Sequence, residues 1–137
     1  MKLNNIKISN YRCFKEAEID FDEHTTLIVG KNGAGKTAIL DAVAVAVSTF
    51  LLGIDGGVSR NISRDDARYE FHDLDGTVDP QHQFPVNIES AGDCLDNHDV
   101  KWVRSLNSES GNTTVKEARE LTNISKDTQK RIMTGDK

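Results

Sequence analysis

The stretch that decides the fold of this chain is "LIVGKNGAGKTAILD", residues 27–41. Three apolar residues lead directly into a glycine-rich loop, which ends in Lys36-Thr37 and continues into a stretch rich in Ala, Ile and Leu. An apolar strand, a glycine-rich turn and an apolar helix, in this order, form the context in which a phosphate-binding loop works. Binding a triphosphate and hydrolysing it need different parts, so the remaining residues must be searched for the second set.

Residues 30–37 satisfy the pattern G-x-x-x-x-G-K-[ST]. The glycines allow the backbone to curl so that its N–H groups point at a β-phosphate, and the following helix presents its positive end to the same anion. Lys36 is expected to neutralise the β- and γ-phosphate oxygens, and the Thr37 hydroxyl is expected to coordinate Mg²⁺. An accidental glycine-rich turn would give this pattern in roughly one chain in a hundred of this length. The sequence therefore predicts phosphate binding.

The composition limits the remaining function classes. The chain of 137 residues has the length of about one domain. Its formal net charge of -5 argues against a surface devoted to nucleic acid, although a local basic patch is compatible with it. Its 2 cysteines have no C-x-x-C spacing, which suits a reducing compartment. No run reaches the ~20 apolar residues of a membrane span, so we expect a cytoplasmic protein without a membrane partner.

The hydrophobic pattern of the first half predicts strands followed by a helix. Apolar and polar residues alternate around 6–8 and again around 19–21, which predicts a strand pair. The solid apolar run 26–29 predicts a third strand that is buried on both faces. Residues 36–52 carry an apolar helical stripe without a turn signal, and the helix is expected to stop at Gly53.

The second half reads as smaller elements. A capping-box pattern at 63–66 predicts a short helix, and the polar residues 72–83 resemble a loop. Alternation at 84–88 and 100–104 predicts an antiparallel hairpin with a long loop. Thr114-x-x-Glu117 is expected to cap a final helix that runs to about Met133.

The search for a hydrolytic acid gives no convincing candidate. "FLLGID" imitates a Walker B strand ending in Asp55, but it follows the P-loop helix directly, and Gly56 stands where a catalytic Glu is expected. The segment 73–77 resembles a phosphatase nucleophile motif but is better explained as an Asp-Gly turn. Trp102 is expected in the core rather than on a base-stacking platform. Arg12, in a strand break before the P-loop, is equally compatible with a surface residue and a phosphate ligand.

Two stretches resemble a known family. "KISNYRCFKEAEIDF" and "TLIVGKNGAGKTAILDAV" are similar to the opening of the ABC-type ATPase heads of the RecF/SMC group, where an "NFR-x-F" segment leads through two strands to the P-loop. More narrowly, "ISRDDAR", "FPVNIES", "VKWVRSLNS" and "GNTTVKEARELTNISK" resemble AAA-family predicted ATP-binding proteins. Some members of that subgroup act in bacterial anti-phage defence, including Septu and retron-associated ATPases.

The resemblance implies a site for ATP and Mg²⁺ in which Lys36 is the catalytic residue of the complete enzyme. Arg12 matches the Arg of "NFR" and would approach the γ-phosphate. ATP would lie between two heads, which implies a homodimer or a larger assembly. The implied ATP-binding residues are Arg12, Gly30, Lys31, Asn32, Gly33, Ala34, Gly35, Lys36, Thr37 and Ala38.

Family members also carry a Q-loop, a signature motif, a Walker B Asp-Glu pair and a switch His, and we find none of these in residues 1–137. We therefore expect a single partial ATPase domain of the α/β class, with a P-loop core at 1–60 and a peripheral helix, hairpin and final helix at 61–137. The expected sheet is mixed and surrounds the P-loop helix. The implied function is ATP binding by the N-terminal lobe of an ABC/SMC-type ATPase, in DNA repair or anti-phage defence, with DNA or a nuclease as a possible partner. The alternative is a non-catalytic module that docks a partner subunit.

Overall fold

A computed structural model describes residues 2–21, 33–74 and 77–135, apart from the side chains of 33–34 and 71–80. The predicted strand at 26–29 lies outside the described residues. In chain order the helices and strands are β1 (Lys2–Tyr11), β2 (Phe14–Asp20), α1 (Gly33–Ser48), β3 (Tyr69–Leu74), β4 (Thr77–His82), β5 (Val86–Cys94), β6 (Asn97–Leu106) and α2 (Arg119–Met133). Three short 3₁₀-helices complete the described elements, at Thr49–Gly53, Arg64–Asp66 and Lys116–Ala118.

The main described sheet has four strands in the order β2-β1-β5-β6, and every neighbouring pair is antiparallel. The predicted β1–β2 pair is confirmed, with Ile6 opposite Ile19 and Ile8 opposite Ala17. Ile6 and Ile8 are buried because alternate side chains of a strand point to the same face. The sheet joins strands from both the 1–60 and the 61–137 parts of the chain, and the predicted α/β fold is confirmed.

The helix α1 lies against this sheet through a face of small residues. Ala38, Ala42, Val45 and Ala46 are fully buried and share one core with the isoleucines of β1. The indole Nε1 of Trp102 on β6 donates a 3.0 Å hydrogen bond to the Ala46 carbonyl, which confirms that this Trp belongs to the core. The small side chains let the helix approach the sheet closely, so α1 is fixed in place directly behind the P-loop.

By length and composition alone, α1 and its extension could cross a membrane. The 19 residues Gly35–Gly53 have a mean hydropathy of 1.6, so the expectation that no stretch is apolar enough was too strict. A core helix of a folded domain passes the same test. In this chain 28% of the apolar window is buried, the small-residue face of α1 packs on the sheet, and Asp41 within the window forms ion pairs with two arginines.

The helix ends as predicted, through the 3₁₀-helix Thr49–Gly53. This segment contains the "FLLG" that imitates a Walker B strand. The segment before Asp55 is therefore helical and not the strand that a Walker B motif requires. The backbone N–H of Asp55 instead donates to Oε1 of Gln129 on α2 at 2.7 Å.

Two loop predictions were wrong. The polar residues 72–83 belong largely to a two-stranded antiparallel hairpin, β3–β4, in which Leu74 pairs with Thr77. The intervening Asp75-Gly76, expected to be a turn, lies outside the described residues. The hairpin β5–β6 is confirmed, but its long loop is not, because both strands continue to a short turn at Leu95 and Asp96.

The final helix is confirmed, but its predicted cap is not. Thr114 instead forms hydrogen bonds with Ser105 of β6. Its Oγ1 accepts from the Ser105 N–H at 3.0 Å, and its own N–H donates to the Ser105 carbonyl at 2.8 Å. The helix begins instead through the 3₁₀-helix Lys116–Ala118. It packs on β6 and on the 3₁₀-helix Thr49–Gly53, with Leu121 fully buried.

Candidate functional site

The described part of the P-loop is the first turn of α1. The helix starts at Gly33, inside the motif, while Gly30, Lys31 and Asn32 lie outside the described residues. Lys36 and Thr37 are exposed and adjacent, and the next residue, Ala38, is fully buried. An exposed ammonium group and an exposed hydroxyl at the positive end of a helix form a donor set that fits a phosphate chain with its Mg²⁺.

The turn between β1 and β2 lies along the first two turns of α1. At Gly35, an added Cβ would stand 3.5 Å from Cζ of Phe14, so the ring of Phe14 touches the start of the helix. Six residues after Gly35 on the same helix, a guanidinium N–H of Arg12 forms an ion pair with Oδ2 of Asp41. The strand break that carries Arg12 therefore lies beside the P-loop helix.

A second carboxylate holds Arg12 from the other side. Oδ1 of Asp66 accepts from Nε and Nη2 of Arg12, both at 3.0 Å, and the Asp66 carbonyl accepts from the Arg12 backbone N–H at 2.6 Å. Arg12 has a φ of 51°, in the left-handed region that non-glycine residues rarely adopt. Its conformation is thus fixed at the backbone and along one edge of the guanidinium.

Asp41 is shared between two arginines. Its Oδ1 accepts a 2.9 Å hydrogen bond from Arg60, while Oδ2 contacts Arg12. Burial disfavours the charged carboxylate, but the hydrogen bonds from Arg12 and Arg60 outweigh it and lower the pKa of Asp41. Burial likewise disfavours the charged guanidinium of Arg12, but its bonds to Asp41 and Asp66 prevail and raise its pKa. The carboxylate of Asp41 and the guanidinium of Arg12 are therefore both charged at neutral pH.

Tyr11 forms the floor of this cluster. The Arg12 Cζ lies 5.3 Å from the centre of its ring, a cation–π distance. Its hydroxyl is buried and has no hydrogen-bond partner among the described residues. Burial, reinforced by the negative charge of Asp66, raises the pKa of Tyr11 to about 12. The phenol therefore stays neutral beside the charged groups.

The cluster contains residues that sequence reasoning missed. Asp41 and Asp66 contact Arg12 from 29 and 54 positions away, and Arg60 completes the group. Asp41 could have been noticed because it follows Thr37 by one helical turn on the same face. Asp66 was recognised only as a member of a capping box, where its Oδ2 does accept from the Ser63 N–H at 2.9 Å.

An antiparallel sheet that holds a helix with a P-loop at its start defines an ATPase lobe of the P-loop type. The comparison with protein families agrees, since the AAA domain family matches residues 5–134. The chain belongs to this AAA domain family, and its relatives include RecF proteins and a Rad50 ATPase.

The relatives carry names that refer to DNA replication and repair. A DNA replication and repair protein RecF from Flavobacterium johnsoniae is 51% identical over 43 residues, which are 31% of this chain and 12% of that protein. A RecF from Lactobacillus gasseri is 29% identical over 108 residues, 77% of this chain and 26% of the relative. The DNA double-strand break repair Rad50 ATPase of Archaeoglobus fulgidus is 46% identical over 44 residues, 32% of this chain and 5% of that protein. In these three matches the chain spans about a quarter or less of the length of its relatives.

Proposed function

We propose that this chain binds Mg-ATP as the N-terminal lobe of an ABC/SMC-type ATPase. The observation that carries the proposal is the start of α1 inside the motif, with Lys36 and Thr37 exposed side by side. Lys36 would bind the β- and γ-phosphates and Thr37 would hold Mg²⁺. The metal and the positive helix end would supply neutralisation of the phosphate charge.

Further ligands follow from the family resemblance. Gly30 to Ala38 would wrap the phosphates, with the glycines allowing close backbone approach. Arg12 would bring its guanidinium to the γ-phosphate, and the contact of Arg12 with α1 through Asp41 supports this placement. Arginine suits that role because its planar fork matches two phosphate oxygens at once.

A nucleotide titration tests the binding proposal. Lys36→Ala is expected to weaken Mg-ATP binding by about tenfold or more, because it removes a hydrogen bond between charged groups. Lys15→Ala removes the same charge from an exposed position on β2 and should leave the affinity unchanged. The proposal is wrong if the chain has no affinity for Mg-ATP or if the Lys36→Ala variant binds as the parent does.

We infer that hydrolysis belongs to the complete ATPase and not to this chain by itself. Turnover needs a positioned water and a general base, and the sequence offers no convincing Walker B acid for that role. The chain is therefore expected to bind without efficient turnover. Phosphate release by the purified chain, lost in the Lys36→Ala variant, would contradict this part of the proposal.

The cellular role is proposed from the relatives. RecF and Rad50 are named for DNA replication and repair, so an ATP-dependent assembly that acts on DNA is the first context to test. Anti-phage defence with a nuclease partner is the second, on the strength of the subgroup resemblance alone. Both contexts suit a cytoplasmic protein.

The second candidate function is an interaction module, favoured by one feature of α1. The end of α1, the following 3₁₀-helix and the turn between β5 and β6 border an apolar groove of about 500 Å³, lined by Ala44, Val47, Phe50, Leu51 and Leu95 among others. We infer that the occupant is an apolar surface of a partner subunit, because the lining of the groove is mostly apolar. Size-exclusion chromatography discriminates the two: ATP-dependent association favours the ATPase head, and ATP-independent association favours the module.

A further inference from the structure

The ion pairs of Arg12 divide its guanidinium into two unequal ends. Along one edge, Nε and Nη2 both bond to Oδ1 of Asp66 at 3.0 Å. At the other end, Nη1 reaches Asp41 on the P-loop helix. The Asp66 edge is reinforced by the backbone, since the Arg12 N–H donates to the Asp66 carbonyl at 2.6 Å.

The Asp41 end can be released at lower cost than the Asp66 end. Asp41 keeps Arg60 as a second cation, at 2.9 Å, when Arg12 leaves it. Arg60 is the only other arginine or lysine paired with these two carboxylates among the described residues, so Asp66 would lose its sole described cation if Arg12 moved as a whole. Nη1 is therefore the transferable end of Arg12, and Asp66 is its anchor.

The transferable end also lies close to the predicted phosphate site. Asp41 follows Thr37 by four residues on the same helix, a separation of about 6 Å along the axis. The contact between Phe14 and Gly35 places the same β1–β2 turn against the first turn of α1. Nη1 is thus held by a residue one helical turn from Thr37, beside the predicted site of the phosphates and Mg²⁺.

We propose that Asp66 is the positioning residue that aims Arg12 at the terminal phosphate of the nucleotide. This inference rests on the proposed ATP binding. Asp66 fixes the backbone and one edge of the Arg12 guanidinium. The Nη1 end leaves Asp41 and binds the γ-phosphate instead. Asp66 thereby makes the site prefer a triphosphate over a diphosphate without touching the nucleotide.

The test measures the affinities of the chain for Mg-ATP and Mg-ADP and takes their ratio. Asp66→Asn is expected to weaken Mg-ATP binding by about tenfold, the effect of one hydrogen bond between charged groups, and to leave Mg-ADP binding unchanged.

Asp65→Asn is the matched control, with the same charge change at the exposed neighbouring residue, and should leave both affinities unchanged. If Asp66 had only a structural role, Asp66→Asn would weaken the binding of Mg-ATP and of Mg-ADP by the same factor.

A second variant keeps the inference testable if Asp66→Asn folds poorly. Arg12→Lys retains the charge but cannot hold Asp66 through Nε and present a second N–H group to phosphate, so it should lose the same preference. An Arg12→Ala, Asp66→Asn double variant should lose no more affinity for Mg-ATP than the Arg12→Ala variant alone. An unchanged ratio in Asp66→Asn or in Arg12→Lys overturns the inference while parental ATP binding stands. A parent that binds no Mg-ATP overturns the proposed function as well.

Discussion

At the scale of single residues, Arg104 is a buried charged side chain whose guanidinium needs several hydrogen-bond partners at once. It is 1% exposed on β6, and burial lowers its pKa. Its guanidinium meets neutral oxygens: the Thr114 carbonyl at 2.7 Å, Asn61 Oδ1 at 2.9 Å, and the hydroxyls of Ser59 and Thr49 at 2.9 and 3.2 Å. A planar fork is needed to reach oxygens in several directions at once.

Arg104→Lys is therefore expected to lower the free energy of unfolding by about 3 kcal/mol. The ammonium group keeps the buried charge but cannot reach the Thr114 carbonyl and Asn61 together, so partners on two loops are left unsatisfied. Urea unfolding followed by circular dichroism measures the change.

Lys101→Arg is the control for this prediction, because it makes the reverse exchange at an exposed position of the same strand. It should alter the free energy of unfolding by less than about 0.5 kcal/mol. Equal stabilities for Arg104→Lys and the parent would show that the buried fork is not required.

At the scale of elements, Gly53 sets the distance between the end of the P-loop helix segment and α2. A Cβ at Gly53 would stand 1.9 Å from Oγ of Ser125 and 2.3 Å from the Thr122 carbonyl oxygen. Gly53→Ala is expected to lower the free energy of unfolding by about 2 kcal/mol, because it forces the two elements apart. Thermal or urea denaturation measures the loss.

A second substitution separates the two contacts of Gly53. Removing the Ser125 hydroxyl in a Gly53→Ala, Ser125→Ala variant should not restore stability, since the Thr122 contact is with the backbone. Gly111→Ala is the control and should be tolerated. A Cβ at Gly111 would stand 2.8 Å from the hydroxyl of Ser108, which lies in an exposed loop and can rotate away. A rescued double variant would contradict the predicted backbone clash.

The element scale also shows what the sequence could predict. Alternation identified β1 and β2, and the apolar stripe identified α1, because one buried face leaves a periodic pattern. The hairpin β3–β4 was missed because its residues are mostly polar. In β5, the "AGDC" segment resembles a turn, yet Gly92 is a strand residue opposite Leu3, where a Cβ would stand 2.2 Å from the Lys2 carbonyl oxygen. A close strand contact, invisible in the sequence, required that glycine.

The candidate site divides in the same way. The helix that follows the P-loop motif could be predicted, because the motif lies in consecutive residues and the apolar pattern after it is helical. The cluster around Arg12 could not be predicted, because Asp66 lies 54 positions after Arg12 in the chain and contacts it only in the folded structure. Residue types and spacing along the chain carry no signal for such a contact.

At the scale of the whole molecule, α1 is apolar on two faces. The face toward the sheet consists of small side chains, while Leu40 and Val47 of α1 are 51% and 41% exposed, and Leu51 of the following 3₁₀-helix is 40% exposed. Val47 and Leu51 line the groove of about 500 Å³, whose walls are mostly apolar. Exposed contiguous apolar surface on a soluble protein marks an interaction site or promotes aggregation.

The chain by itself is therefore expected to self-associate as its concentration rises, measured as the apparent mass in static light scattering. Leu51→Glu places a charge in the groove and should shift the chain toward monomer without loss of helical circular dichroism. Val58→Glu is the matched control, because Val58 is 80% exposed but does not line the groove, and its variant should associate as the parent does. A parent that stays monomeric at all concentrations would contradict the predicted self-association.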